Sequence, residues 1–173
     1  RIQPRCKICT SCGGCQYQQL DYKAQLKYKT KRVKEALTRI AHVKQEVLPC
    51  LGMDEPYNYR NKIQVPFNKD RNGKVKFGFY KENTHIIMPI KECAIEDKRA
   101  APILWDIKLL LEEMNIPCYN EDSGKGILRY VLIRTSYHYD ELMVVLVTTQ
   151  MNFPGQRNFI NELVNRHSEI TTI

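Results

Sequence analysis

The chain has 173 residues, the size of one domain or a small two-part unit. Its 27 Lys and Arg outnumber 19 Asp and Glu, a net charge of +8, which favours a polyanionic partner such as nucleic acid. A composition of 43% hydrophobic and 27% charged residues excludes intrinsic disorder, and no apolar run approaches the ~18 residues of a membrane span. No charged-then-apolar leader follows Arg1, and Thr171-Thr172-Ile173 reads as an unfinished strand, so the expectation is a piece of a longer protein.

Seven cysteines are present, and four crowd the start: Cys6, Cys9, Cys12 and Cys15, spaced C-x2-C-x2-C-x2-C. A disulfide framework spreads an even number of cysteines along a chain. Two-residue gaps instead let thiolates turn toward one centre, as in sites for soft metals and iron–sulfur clusters, and spacing alone leaves zinc and iron–sulfur both open. Gly13 and Gly14 suit a tightly wound backbone there. Reduced thiols imply a cytoplasmic setting. Cys50 and Cys118 read as small buried hydrophobes, whereas Cys93 follows the strand-like Ile86–Ile90 and stands where a distant ligand closes a site.

From Leu20 to about Ala41 the pattern is helical, with Leu26, Val33, Leu37 and Ile40 on one stripe. Lys23, Lys27, Lys29, Lys31, Arg32, Lys34 and Arg39 occupy the remainder, either as a solvated face or as phosphate contacts. A short strand is expected at Glu46–Pro49. Ile63, Val65 and Phe67 alternate with Lys62 and Gln64, Asn72-Gly73 marks a hairpin turn, and Val75, Phe77 and Phe79 return. Pro66 predicts an edge position or a bulge. Residues 84–90 read as a third strand. Residues 97–115 read as a helix with Ile103, Ile107, Leu110, Leu111 and Met114 on one face. Ile127–Ser136 and Glu141–Thr149 read as a hairpin closed by Tyr137–Asp140, followed by a helix at Gln156–Arg166. The predicted fold is α+β: a mostly antiparallel sheet, flanking helices and an N-terminal Cys-rich cluster-binding loop.

Alternation places Arg60, Lys62 and Gln64 on one strand face, a polar set suited to a phosphate and a base edge, or to plain solvation. Arg129 and Arg134 are weaker candidates, because an odd separation sends them to opposite faces of a regular strand. Phe79, Tyr80, Tyr137 and Tyr139 lie near turns, where rings either stack on unpaired bases or fill the core. His85 reads as a hydrogen-bonded or solvated side chain.

Several phrases, in order along nearly the whole chain, resemble one family. They are Cys12-Gly13-Gly14-Cys15-Gln16, Tyr22-x-x-Gln25-Leu26-x-x-Lys29, Tyr59-Arg60-Asn61-Lys62-x-Gln64, Gly78-Phe79-Tyr80 leading to Cys93, and Leu128-Arg129 leading to Met143–Thr148. Together they resemble the iron–sulfur-containing RNA (uracil-5-)-methyltransferases, which make 5-methyluridine in 23S rRNA and, in some relatives, in tRNA. The resemblance implies a [4Fe–4S] cluster on Cys6, Cys12, Cys15 and Cys93, with Cys9 an extra thiol able to replace one of them. It implies RNA contacts from Arg60, Lys62, Gln64, Lys31, Arg32 and Arg129. The S-adenosylmethionine site and the catalytic cysteine belong, in that family, to a methyltransferase domain absent from this chain, so no catalytic residue is assigned and the chain alone is expected to be inactive.

The implied organisation is a cluster loop at 1–19, a basic helix at 20–45 that docks on the missing domain, an RNA-contacting region at 46–150, and a helix with the start of the next segment at 151–173. Without that domain, the apolar stripe is expected to be bare or covered by a second copy of the chain. Two other classes compete. A ferredoxin-like electron carrier shares dense Cys spacing but usually ends its run in Cys-Pro, whereas Gln16 follows Cys15 here. A zinc-bearing RNA-binding module is separated from the iron–sulfur reading by metal analysis.

Overall fold

A computed structural model describes residues 1–70 and 72–173. The chain divides into two compact units, Arg1–Tyr57 and Asn58–Ile173.

In the first unit the Cys-rich segment is not an open loop. Cys9–Cys12 forms a single helical turn, α1, which ends at Gly13 with φ of 66°. Helix α2 spans Tyr22–Glu35, and the carboxylate of Asp21 caps it by accepting from the Ala24 N–H at 3.0 Å. The helix runs on through a π-helical stretch, Ala36–Ile40, and stops at His42, which takes a positive φ of 56°. No residue of α2 is buried. The expected strand at Glu46–Pro49 does not form. That segment instead leads into a return along α2, pinned where the Cys50 N–H donates to Thr30 Oγ1 at 2.9 Å and the Met53 N–H donates to Tyr22 Oη at 2.8 Å. Gly52 lies flat against Leu26, leaving no room for a Cβ. Leu26 is thus partly covered, whereas Val33 is 51% exposed and Ile40 79%.

The second unit carries the sheet. Its strands are β1 (Lys62–Lys69), β2 (Val75–Tyr80), β3 (Ile87–Pro89), β4 (Leu128–Thr135), β5 (Leu142–Thr148) and β6 (Ile170–Thr172), in the order β3-β2-β1-β4-β5-β6. All neighbours are antiparallel except β5 and β6, so the sheet is mixed, and Ile170–Thr172 completes it as a parallel edge strand. Helices α3 (Ala100–Glu113) and α4 (Gln156–Arg166) supply the buried partners. The core holds Ile63, Val65 and Phe67 of β1, Val131 and Ile133 of β4, and Ile103, Ile107, Leu110 and Leu111 of α3. Alternation works here because one sheet face is covered by helices and the other is not.

Pro66 departs from its expectation. Strand β1 lies inside the sheet, yet its pairing changes partner at this residue. Lys62–Pro66 pair with β4, and the ladder to β2 covers Phe67 to Lys69. The missing N–H of Pro66 therefore falls where the β2 ladder has ended, which is how an interior strand accommodates it.

Candidate nucleic-acid interface and thiol cluster

The other three N-terminal thiols lie close enough to act on Cys9. Burial raises the proton affinity of Cys9, and the neighbouring Cys6, Cys15 and Cys12 raise it further. Cys9 is 6% exposed, while Cys6, Cys12 and Cys15 are half-buried. Among the described residues no group of three His, Cys, Asp or Glu side chains is arranged to hold a metal ion. The expected cluster-binding loop is therefore a donor set of suitable chemistry, soft sulfurs around a left-handed glycine, without the convergent geometry of a finished site. Cys93 lies in the second unit and is half-buried. Cys118 behaves as expected of a core thiol: burial pushes it up to about 12, which leaves it protonated and unreactive.

The basic residues of α2 are solvated. Lys31 reaches Glu35 at 3.8 Å across exposed surface, a pair that contributes little. Arg32 donates to Tyr17 Oη at 2.8 Å, and Tyr17 meets Tyr28 edge to face with centroids 5.5 Å apart. This contact fixes the direction of the Arg32 guanidinium on an exposed surface.

In the second unit Lys62 and Gln64 share the exposed face, opposite the buried Ile63 and Val65. Arg60 lies outside the ladder that pairs Lys62 and Gln64 with β4. It precedes β1 and forms an isolated parallel bridge with Glu96, its N–H donating to the Ile95 carbonyl at 2.8 Å and its carbonyl accepting from the Asp97 N–H at 3.1 Å. Glu96 is 4% exposed, and its Oε1 has no hydrogen-bond partner. Burial raises its carboxyl to about 7, while the charge of Arg60 pulls the other way. Arg60 is thus held by its backbone beside a buried acid.

The outer sheet face has a regular layout. Lys62 pairs with Arg134 and Arg134 with Met143; Gln64 pairs with Leu132 and Leu132 with Val145; Pro66 pairs with Tyr130 and Tyr130 with Val147. Directly opposed residues point to the same side, so these nine form three rows. Arg134, Met143, Val145 and Val147 are exposed. The parity argument that separated Arg129 from Arg134 fails, because the β4–β5 register shifts between Leu128 and Tyr130. Arg129 is the extra residue of a bulge, and a bulge re-aims its side chain.

The re-aimed guanidinium lies 4.6 Å from the Tyr119 ring centroid and 5.8 Å from that of Tyr130. Tyr80 and Tyr130 share a hydroxyl contact of 3.3 Å, and burial raises the Tyr80 phenol well above its ordinary range. His85 Nδ1 meets Glu121 Oε2 at 2.9 Å, and its ring tilts over Tyr80 at 5.4 Å. Glu121 also faces Arg129 at 3.9 Å. These residues line one small recess. Tyr80 was legible as a ring near a turn, but Tyr119, Tyr130 and Glu121 were not. Their one signal was the pair Gly124 and Gly126. Gly126 takes φ of +110° and is pressed against the Cys118 carbonyl, where a Cβ would collide, and this lets Cys118 bridge to Leu128 and brings Tyr119 beside Arg129. Tyr137 and Tyr139, at the β4–β5 hairpin, are 92% and 69% exposed, and Phe79 is half-buried.

No family model matches this chain. An "Uncharacterized RNA methyltransferase" of Clostridium tetani is 40% identical over 173 residues, covering 100% of this chain and 37% of the relative. One from Clostridium acetobutylicum is 41% identical over 93% of this chain and 35% of its own length. One from Staphylococcus aureus is 34% identical over 100% of this chain and 38% of its own length. Among solved structures, the Pyrococcus abyssi tRNA (uracil-54, C5)-methyltransferase, in complex with S-adenosyl-L-homocysteine, superposes with a TM-score of 0.66 at 32% identity, over 86% of this chain and 34% of that one. The chain thus spans little more than a third of the length of the relatives it matches. It is similar to RNA methyltransferases in sequence over its whole length and in fold over 86% of it.

Proposed function

We propose that this chain is the RNA-contacting portion of an S-adenosylmethionine-dependent RNA (uracil-5-)-methyltransferase. The observation that carries the reading is the fold match at 32% identity to a protein whose name specifies a uracil C5 reaction and whose bound ligand is S-adenosyl-L-homocysteine, the product left when S-adenosylmethionine gives up its methyl group. Methylation at uracil C5 requires a nucleophile to add at C6 and a base to remove the C5 proton. In this reading the nucleophile and the base are supplied by a methyltransferase domain outside this chain, and Cys118, which is buried and protonated, is not the nucleophile. What this chain supplies is substrate binding: Arg60, Lys62, Gln64, Arg129, Lys31 and Arg32 contact RNA, and the target base is unstacked from its neighbours before reaction.

The RNA is 23S rRNA in the reading that follows the motif resemblance. The solved neighbour, which acts on a tRNA, favours tRNA as the second reading. A [4Fe–4S] cluster held by Cys6, Cys12, Cys15 and Cys93 is part of the same proposal, supported by the sulfur donor set and the motif spacing. When bound, the group supplies a rigid, charged organising centre, since methyl transfer to C5 moves no net electrons.

The test is methylation by the full-length gene product, given S-adenosylmethionine with a labelled methyl group and either 23S rRNA or tRNA transcripts. The product nucleosides are then separated and weighed. Label in 5-methyluridine from one transcript supports the reading and settles the substrate. Label in another nucleoside, or none from either RNA, overturns it. Arg60→Ala is expected to lower kcat/KM about tenfold or more, equivalent to ~1.4 kcal/mol of lost transition-state stabilisation.

A further inference from the structure

We propose that the recess formed by Tyr80, His85, Tyr119, Glu121, Arg129 and Tyr130 holds one unpaired nucleobase of the RNA, stacked on the Arg129 guanidinium and hydrogen-bonded through a ring or exocyclic N–H to the Glu121 carboxylate. The inference rests on the RNA-binding reading above and names a site within it.

Four observations converge. First, the groups present flat faces: Arg129 lies over Tyr119 at 4.6 Å and near Tyr130 at 5.8 Å, and His85 tilts over Tyr80 at 5.4 Å. Aromatic rings and a guanidinium plane are the surfaces on which splayed-out bases stack. Second, Glu121 rules the recess out as a phosphate cradle. Its carboxylate faces His85 at 2.9 Å and the Arg129 guanidinium at 3.9 Å, and would repel a phosphate, yet it accepts readily from a base N–H. Third, Arg129 Nε is buried with no hydrogen-bond partner, so the guanidinium is held in the recess by its ring and carboxylate neighbours rather than by a saturated hydrogen-bond network. Fourth, the site is built at some cost: a bulge in β4 and a glycine at φ of +110° are both needed to bring Arg129 and Tyr119 together.

The base held here is not the one that reacts. No thiol lines the recess, and the adjacent Cys118 is buried and 6% exposed. The site therefore positions the RNA by a second base, while the reacting uracil lies elsewhere. Lys62 and Arg134 stand on the outer sheet face two rows from Tyr130, roughly 13 Å along the strands, where they can meet the backbone of the same RNA segment.

The experiment uses the 173-residue chain and two fluorescent ten-nucleotide single-stranded RNAs of equal charge, one with all its bases and one with abasic positions in the middle. Anisotropy titration is expected to show the base-bearing strand binding about tenfold tighter, the usual worth of a stacked base. Arg129→Gln and Tyr119→Leu should each bring that ratio close to one. Glu121→Gln is the sharper test, because Glu121 is exposed and its loss leaves the fold intact. At a base site the ratio falls, whereas at a phosphate site both strands bind more tightly and the ratio holds. Variants that keep the wild-type melting temperature and the full ratio overturn the inference and leave the RNA reading standing. A wild-type chain that binds neither strand overturns both.

Discussion

The two units obey different rules of stability. Residues 58–173 bury apolar side chains from all six strands and both helices, and their alternating pattern ends in an apolar layer between sheet and helices. In residues 1–57 the buried side chains are Cys9 and Gln18, and helix α2 buries none. Helices draw most of their stability from packing an apolar face, and a helix of 14 residues is marginal by itself in water. The first unit is instead held by single polar contacts: the Asp21 cap, the Thr30 and Tyr22 hydroxyls on the returning chain, and the Gln18 carboxamide, which accepts from the Cys6 N–H at 3.1 Å. A region so built takes its order from whatever binds it. The crowded thiols and the uncovered stripe are the two places where binding would act.

The largest effect that tests this contrast is a cavity in the second unit. Phe67 is 2% exposed and stacks on Phe77 at 5.2 Å, and Phe77 meets Trp105 edge-on at 5.2 Å. Phe67→Ala is expected to cost about 3–5 kcal/mol, comparable with the whole stability of a small domain. The measurement is urea denaturation followed by Trp105 fluorescence, together with hydrogen exchange on β4 and β5. Protection in β4 should collapse, while α2, which buries no side chain, should exchange fast in both proteins. If α2 and β4 lost protection together, the division into a self-sufficient and a dependent unit would be wrong.

How much of this was legible follows from the same contrast. Where an element is covered on one face, the sequence carries the pattern: Ile63, Val65 and Phe67 alternate, Ile103 to Leu111 recur at helical spacing, and Gln156–Arg166 is bounded by a turn, so these elements lie as read. The Glu46–Pro49 segment has β-branched and proline signals, but its own unit contains no strand to pair with it, and it runs without a strand. Parity failed at Arg129 because a bulge is a property of two strands in register, invisible in either alone. The bridge of Arg60 was invisible for a related reason: its partner, Glu96, is 36 residues away in sequence, and no local spacing reports it. The recess needed five segments at once, of which the chain advertised only two glycines and a tyrosine beside a turn.

An intermediate effect should follow from acid titration, and it too belongs to the second unit. Arg99 grips Asp97 through Nη2–Oδ2 at 2.8 Å and Nε–Oδ1 at 3.1 Å, and its Nη1 and Nη2 reach Asp140 at 2.9 Å and the Ser136 carbonyl at 2.9 Å. The start of α3 is thereby tied to the β4–β5 hairpin. The Arg99 hydrogen bonds hold the Asp97 carboxyl below its ordinary value of 3.8, with help from Thr135 and against a smaller opposing effect of burial. A depressed carboxyl means that the unfolded chain binds the proton first. The stabilisation is thus complete above the ordinary value and is lost as pH falls through the folded one. Asp97→Asn should cost about 1–2 kcal/mol at pH 7 and flatten the loss of stability below about pH 4. Denaturation midpoints for both proteins between pH 2 and pH 7 check this, and parallel acid limbs would show that Asp97 is not the linked group.

The smallest expected effect bears most directly on the first unit. Val33 and Ile40 are 51% and 79% exposed, on the stripe that a helix of this pattern normally buries. In a monomeric chain, Val33→Ser and Ile40→Ser should each change stability by no more than about 0.5 kcal/mol, as surface substitutions do. A cost of about 2 kcal/mol would mean that the stripe is covered in solution, and in a chain purified alone the cover is a second copy. Denaturation midpoints at two protein concentrations separate the cases, because a stripe buried between copies makes the midpoint rise with concentration and an open stripe does not. The serine variants would then abolish that rise without touching the second unit. A surface that is apolar, helical and energetically silent in isolation is one whose contribution begins only when a partner covers it.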